Sequence, residues 1–134
     1  MQGFSLIELV IVILVAAIVA VAAVPRLLDT SAIDAVTAAE TAATDIRAVQ
    51  SLAMYTGVPR SIAFSSGSPD YTAGGLLPPA RRLPGGSYAT TTISLNFNSF
   101  GEPNITAATD VSFYAGGNAS SLTVLPYTGE VSVN

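Results

Sequence analysis

A carboxylate inside an apolar segment is the first feature of this sequence that could do chemistry. Glu8 lies within the stretch from Phe4 to Val24, where every other residue except Ser5 is apolar or small. An unpaired carboxylate in hydrocarbon costs on the order of 2.5 kcal/mol or more, so Glu8 needs a counter-charge, a proton or access to water. The simpler alternative is that Glu8 lies near the headgroups and extends its carboxylate outward to water.

Gly3 and Phe4 lie just ahead of Glu8, and Phe4 is four positions before it. Glycine has no side chain to clash in a peptidase groove, and a cut after Gly3 would create a positive α-amine on Phe4. If such helices stack with an axial offset, Glu8 of one chain meets the Phe4 amine of its neighbour. This attraction is much stronger in a low-dielectric core than in water, so the pair is predicted to set the register of assembly.

Composition removes most other chemistry. The 134 residues include no cysteine and no histidine, which excludes disulfides, thiol catalysis and the commonest general base and metal ligand. The five basic residues are all arginine and the net charge is -4, so no broad basic surface for nucleic acid is expected. We therefore predict no catalytic residues, no cofactor and no metal site. The acidic residues of the second half lie far apart in sequence: Asp70, Glu102, Asp110 and Glu130.

Residues 3–25 carry a resemblance to a known family. The run Gly3-Phe4-Ser5-Leu6-Ile7-Glu8, followed by an uninterrupted Ala, Val and Ile segment and Pro25, resembles the class III signal and N-terminal helix of type IV pilins and type II secretion pseudopilins. The resemblance implies a non-enzymatic prepilin that is cleaved after Gly3, methylated on Phe4 and assembled through Glu8. It implies partners that include other pilin or pseudopilin subunits, a prepilin peptidase and an inner-membrane assembly platform. The implied location is the bacterial inner membrane as a single-pass protein with its globular domain in the periplasm, then a filament in the periplasm or on the cell surface.

Several alternatives remain open at this stage. The leader Met1-Gln2-Gly3 lacks the basic residues usual in this family, so either a longer leader exists or targeting depends on hydrophobicity alone. A cleaved signal peptide, giving a secreted enzyme that starts near Ala23, is the rival interpretation of the apolar run. Another rival is a single-pass membrane protein with a periplasmic ligand-binding domain. Within the pilin interpretation, secretion, adhesion and DNA uptake are all possible functions.

A long helix is predicted to carry Glu8 and its neighbours. At about 1.5 Å per residue, the segment from Phe4 to Val24 spans about 30 Å, the thickness of a hydrocarbon core. Pro25 lacks a backbone N–H and is predicted to kink the helix or end it. Beyond it, apolar residues spaced by three and four predict an amphipathic continuation to about Tyr55, with Gly57 as its C-terminal stop. Its predicted apolar stripe comprises Leu27, Leu28, Ile33, Val36, Ala39, Ala43, Ile46, Val49 and Ala53.

The remaining chain predicts four or five antiparallel strands packed on the amphipathic helix, an α+β fold. The predicted strands are 60–64, 88–97, 111–115, 122–125 and 131–133. Residues 72–86, rich in Gly and Pro and including Arg81-Arg82, are predicted to be a long surface loop. Four tyrosines are assigned to strand and loop packing: Tyr71, Tyr88, Tyr114 and Tyr127.

The predicted division is a leader at 1–3, a membrane or filament-core helix at 4–25, an amphipathic helix at 26–56 and a β domain at 57–134. The β domain is similar to minor pseudopilins of the FimT/GspH type. This likeness rests on the junction Gly57-Val58-Pro59, the turn from Phe97 to Gly101, and the closing segment from Val124 to Val133.

Overall fold

A computed structural model describes residues 5–27 and 30–134, with side chains described for residues 5–20 and 30–134. The chain divides into two units, Met1–Thr30 and Ser31–Asn134. The first contains helix α1 (Leu6–Leu27), and the second begins with helix α2 (Ser31–Thr56). The strands of the described part are β1 (Arg60–Phe64), β2 (Asp70–Ala73), β3 (Ala80–Arg82), β4 (Tyr88–Ala89), β5 (Ile93–Phe97), β6 (Thr109–Ala115), β7 (Asn118–Val124) and β8 (Val131–Val133). The predicted α+β class is confirmed.

The predicted single helix is interrupted. Thr30 is not helical and separates α1 from α2, where the sequence predicts one continuous helix to about Tyr55. Threonine and serine compete for backbone hydrogen bonds and favour helix N-termini, so Thr30-Ser31 favours a new helix start over continuation. Pro25 lies within the bounds of α1, which ends shortly after it at Leu27.

Among the residues that the structure describes, no helix combines the length and the apolar character needed to cross a membrane.

Helix α2 ends as predicted. It stops at Thr56, and Gly57 follows with a φ of 65°, the left-handed conformation that terminates many helices and that glycine adopts without a side-chain clash. β1 then begins at Arg60, which agrees with the predicted extended segment after Val58-Pro59.

The buried face of α2 is made mainly of alanine. Its buried residues are Ala35, Ala38, Ala39, Ala42, Ala43, Asp45, Ile46, Val49 and Ala53. The predicted stripe is correct from Ala39 onward but wrong at Ile33 and Val36, which are 67% and 49% exposed. Small side chains let the helix axis approach the strands closely. The alanines of α2, rather than its largest apolar residues, therefore identify the face that packs on the sheets.

The strands of the described part form two four-stranded sheets, whereas the sequence predicts one small sheet. The first sheet has the order β3-β2-β1-β5 and the second has β4-β6-β7-β8. All pairs are antiparallel, with Ile62 opposite Ala73 and Leu95 in the first sheet and Val111 opposite Leu122 in the second. The predicted strand 88–97 is divided between the sheets, since β4 pairs with β6 and β5 pairs with β1.

The core lies between α2 and the two sheets. Phe64 of the first sheet meets Phe113 of the second edge to face, with ring centroids 5.6 Å apart and an interplanar angle of 78°. Phe97 and Ile46 are fully buried in the same cluster. Aromatic pairs of this geometry contribute about 0.5–1.5 kcal/mol beyond their buried area, so Phe64 and Phe113 help to join the two sheets.

Candidate assembly and processing site

Glu8 lies in the first turn of α1. The carbonyl of Ser5 accepts the backbone N–H groups of Glu8 at 3.0 Å and Leu9 at 3.2 Å, which closes the first turn. A carboxylate at this position is stabilised by the positive end of the helix dipole. Glu8 is exposed, and neither of the ion pairs found in the described part of the chain includes it. Its carboxylate is therefore available to a group supplied from outside the described residues.

The predicted processing residues, Gly3 and Phe4, lie outside the described residues. The expected contact between the Phe4 amine and Glu8 of a neighbouring chain therefore stays a prediction. The same holds for a kink at Pro25, because side chains are described only up to Ala20 in α1.

Every described side chain of α1 is exposed. The large apolar residues range from 80% exposed at Leu6 to 48% at Val10, and they point in all directions around the helix. Burying a Val, Leu or Ile side chain contributes about 1.5–3 kcal/mol. The first unit therefore presents an apolar surface whose burial in lipid or against other helices is strongly favourable.

Two rows of side chains define a groove along α1. One row is Ile11, Val15 and Val19, and the adjacent row is Val12, Ala16 and Ala20, each with a spacing of four residues. Rows of this kind form the ridges and grooves by which helices pack on one another. The small alanines on one side allow close approach, so this face of α1 fits the side chains of a second helix.

A polar cluster that the sequence did not predict lies in the globular unit. Asp45 of α2 is 5% exposed, accepts a 2.5 Å hydrogen bond from the hydroxyl of Tyr71, and forms an ion pair with Nε of Arg81. Burial and, to a smaller degree, the hydrogen bond to Asp45 raise the pKa of Tyr71 to about 12. The hydrogen-bonding contact with Tyr71 is the largest cause that raises the pKa of Arg81, opposed by its burial. In this cluster the carboxylate of Asp45 therefore contacts a charged arginine, Arg81, and a neutral tyrosine, Tyr71.

This cluster corrects the predicted surface loop at 72–86. Ala80–Arg82 is strand β3, paired with β2 so that Tyr71 is opposite Arg81 and Asp70 is opposite Arg82. Arg81 is thereby directed to Asp45, whereas Arg82 lies 3.8 Å from Asp70 in a largely exposed pair. The alternation of side chains along β3 gives these adjacent arginines different partners.

The tyrosine assignments are correct in three places and wrong in one. Tyr71 stacks on Phe64 with ring centroids 4.9 Å apart, and Tyr88 and Tyr114 pair across β4 and β6 at 5.6 Å. Tyr127 is 72% exposed and packs little. In the described part of the chain, no group of three or more His, Cys, Asp or Glu side chains is placed to hold a metal ion.

Comparison with known families identifies the N-terminal segment. Residues 1–24 match the family model described as the prokaryotic N-terminal methylation motif. This motif is characteristic of type IV pilins and pseudopilins, so the predicted resemblance is confirmed over this segment. Comparisons with curated proteins and with solved structures found no match.

The match covers the N-terminal segment alone, and for this segment it supports a prepilin-like N-terminus of the kind found in type IV pilins and pseudopilins. It implies assembly with other pilin subunits, and it indicates a membrane-anchored or surface pilus protein.

Proposed function

We propose that this chain is a structural subunit of a type IV pilus or a type II secretion pseudopilus. In this proposal a prepilin peptidase cleaves after Gly3 and methylates the new N-terminus at Phe4. The mature subunit is held in the inner membrane, with residues 31–134 in the periplasm, until an assembly platform transfers it to the filament. The subunit acts by packing, and it has no catalytic role of its own.

The observation that carries the proposal is the surface of α1. Its described side chains are apolar and exposed around the whole helix, and Glu8 is the one charged residue among positions 5–20. A helix that is apolar on all sides is stable only when it is surrounded by apolar material. A bundle of such helices in a filament core meets this need, and the groove between the two rows of side chains offers a packing surface for it.

Glu8 gives the proposed assembly its register. Removal of residues 1–3 leaves a positive amine on Phe4, and the helices of successive subunits are offset along the filament axis. A Glu8 carboxylate that meets the amine of the adjacent subunit gains an attraction that grows as water is excluded. A subunit displaced along the axis would leave a buried charge without a partner, which is strongly unfavourable. The pair would therefore select one axial step among many that apolar packing alone permits.

The N-terminus of the mature protein tests the proposal. The full chain is co-expressed with a prepilin peptidase, purified from membranes and analysed by intact and peptide mass spectrometry. We expect loss of Met1 to Gly3 and the mass of one added methyl group on Phe4. A Gly3→Val variant should remain uncleaved, because its β-branched side chain obstructs the peptidase groove, whereas Gln2→Val is the matched control and should be processed.

Other outcomes would contradict the proposal. An intact Met1 in the working protein would favour an ordinary single-pass membrane protein. A mature chain that begins near Ala23 would favour a secreted protein released by signal cleavage.

A further inference from the structure

We propose that a groove beside Tyr127 in the globular unit binds a neutral saccharide. The groove has a volume of about 570 Å³, within the range of small-ligand sites. Its apolar lining includes Pro59, Pro103 and Ile105. Its polar and aromatic lining consists of Asn96, Asn98, Glu102, Asn104, Thr106 and Tyr127.

The conformation of Tyr127 is the first argument. In the described part of the chain it is the one residue other than glycine with a positive φ, at 64°, a conformation that bulky side chains rarely adopt. The surrounding turn fixes it, because Thr128 donates to the carbonyl of Pro126 at 2.7 Å and Gly129 donates to that of Leu125 at 3.1 Å. The ring is nevertheless 72% exposed and fills no core position. Strained residues of this kind concentrate at functional sites, and here the strained residue places an exposed aromatic side chain in the lining of the groove.

Hydrogen bonds within the chain hold the polar wall of the groove. Oδ1 of Asn98 accepts the backbone N–H groups of Phe100 at 2.9 Å and Glu102 at 3.0 Å, and Oδ1 of Asn104 accepts that of Asn96 at 2.8 Å. Nδ2 of Asn98 donates to Oε2 of Glu102 at 2.7 Å. These bonds hold the amides and the carboxylate in fixed positions before any ligand arrives.

The same bonds leave hydrogen-bonding capacity unused. Within residues 30–134, no protein partner is found for Nδ2 of Asn104, for Oε1 of Glu102 or for the side chains of Asn96 and Thr106. An amide N–H donates, a carboxylate oxygen accepts and a threonine hydroxyl does both. The groove therefore offers fixed donors and acceptors next to an exposed aromatic ring.

A neutral saccharide matches this combination. Its hydroxyl groups donate and accept hydrogen bonds at the same time, and its C–H faces pack on an aromatic ring. The lining contains no arginine and the chain contains no lysine or histidine, so the groove offers no positive charge for a phosphate or sulfate. Glu102 repels anionic ligands as well. An apolar helix or strand of a partner protein would leave most of these unused polar groups without hydrogen bonds, so such a segment fits the groove less well than a saccharide does.

Saccharide binding is tested on the full chain by nuclear magnetic resonance. The ¹⁵N-labelled protein is held in dodecylphosphocholine micelles, since a detergent with a sugar headgroup would compete. Triacetylchitotriose, cellotriose and maltotriose, all neutral, are titrated in turn. We expect at least one to shift the backbone amides of residues 96–106 and 126–129 in a saturable manner. The groove lies entirely within residues 59–127, so this test is independent of N-terminal processing.

Three variants make the test specific. Tyr127→Ala should weaken binding about tenfold, because it removes the stacking face while leaving the exposed turn in place. Tyr127→Phe retains the ring and should retain binding. Tyr55→Ala is the matched control, because Tyr55 is 90% exposed at the end of α2 and does not line the groove.

Three results would overturn the proposal. The first is the absence of saturable shifts with all three saccharides. The second is equal binding by Tyr127→Ala and the unmodified chain. The third is a shift of the same amides with protein concentration alone, which would assign the groove to contact between copies of the chain.

Discussion

The hydroxyl of Tyr71 on β2 donates a 2.5 Å hydrogen bond to Oδ2 of Asp45 on α2, and both residues are buried. The same oxygen forms an ion pair with Arg81 on β3. One carboxylate on the helix therefore fixes β2 and β3, the two strands at one side of the first sheet. An ionised group buried in this way is retained only because two donors compensate for its loss of water.

Replacement of Arg81 should destabilise the globular unit far more than replacement of its neighbour. Arg81→Ala leaves Asp45 buried with one donor fewer, and we expect the free energy of unfolding to fall by about 2–4 kcal/mol. Arg82→Ala is the matched control, because its exposed partner Asp70 is 3.8 Å away and such surface pairs contribute about 0–1 kcal/mol. Chemical denaturation of the full chain in micelles, followed by circular dichroism, measures both. Equal losses for the two variants would contradict the assigned role of Arg81.

Stability should fall at alkaline pH because of Tyr71. Its pKa is raised from 10.0 to about 12 in the folded chain, mainly by burial, so between these values the folded state holds a proton that the unfolded state has lost. The free energy of unfolding therefore decreases with rising pH across this window, by up to about 3 kcal/mol. Denaturation curves at several pH values measure the slope, and Tyr71→Phe should remove this contribution. Tyr127→Phe, at an exposed position, should retain the full slope, and a slope unchanged in Tyr71→Phe would show that another group titrates.

Short sequence patterns predicted where helices and strands end, but they did not predict which distant residues those helices and strands contact. Gly57 predicted the end of α2, because the residue after the last helical turn often adopts the left-handed conformation, which favours glycine. Strands were also predicted at 111–115 and 122–125, and the structure pairs this region as β6 and β7 on either side of Gly116-Gly117. These features depend on conformational preferences of a few adjacent residues, which sequence patterns report directly.

The cluster of Asp45, Tyr71 and Arg81 depends instead on contacts between distant residues. No sequence pattern assigned Asp45 a role, and Arg81 lay in a predicted surface loop. β3 is only three residues long, with Pro78 and Pro79 just before it and Pro84 just after it, so its local composition indicates a loop. Pairing with β2 overrides that preference. The one usable signal was an acidic residue at position 45 between the apolar residues Ala42, Ala43 and Ile46.

Gly129 should tolerate a side chain much less well than Gly57, although both have a φ of 65°. A Cβ atom on Gly129 would lie 2.5 Å from Nε2 of Gln50, 3.0 Å from Cε1 of Phe97 and 3.1 Å from the carbonyl oxygen of Gly101. Nothing lies within 4 Å of the corresponding position on Gly57. We expect Gly57→Ala to reduce the free energy of unfolding by about 1 kcal/mol, the cost of the left-handed conformation. Gly129→Ala should cost about 3 kcal/mol, because the overlap adds to it.

Thermal and chemical denaturation of the two glycine variants provide the measurement. Gln50 also donates to the carbonyl groups of Gly101 at 2.9 Å and Thr128 at 2.7 Å, so displacing it releases two turns at once. Hydrogen exchange should therefore accelerate in residues 98–101 and 126–129 of Gly129→Ala alone. Similar stability of the two variants would mean that the side chain of Gln50 moves aside without cost.

Removal of the charge on Glu8 should block assembly while leaving processing intact. Glu8→Gln keeps the size of the side chain but cannot attract the Phe4 amine of a neighbour, so incorporation into filaments should fall at least about tenfold. Quantification of sheared filaments against the membrane fraction, with mass spectrometry of the mature N-terminus, separates assembly from cleavage. Ser5→Ala, a change in the same helical turn that keeps the carbonyl groups that close it, is the matched control and should assemble normally. In cells that also express the unmodified chain, the variant should be incorporated partially, because its own Phe4 amine can still meet an unmodified Glu8. Normal assembly of Glu8→Gln alone would instead favour a carboxylate that simply extends to water at the headgroups.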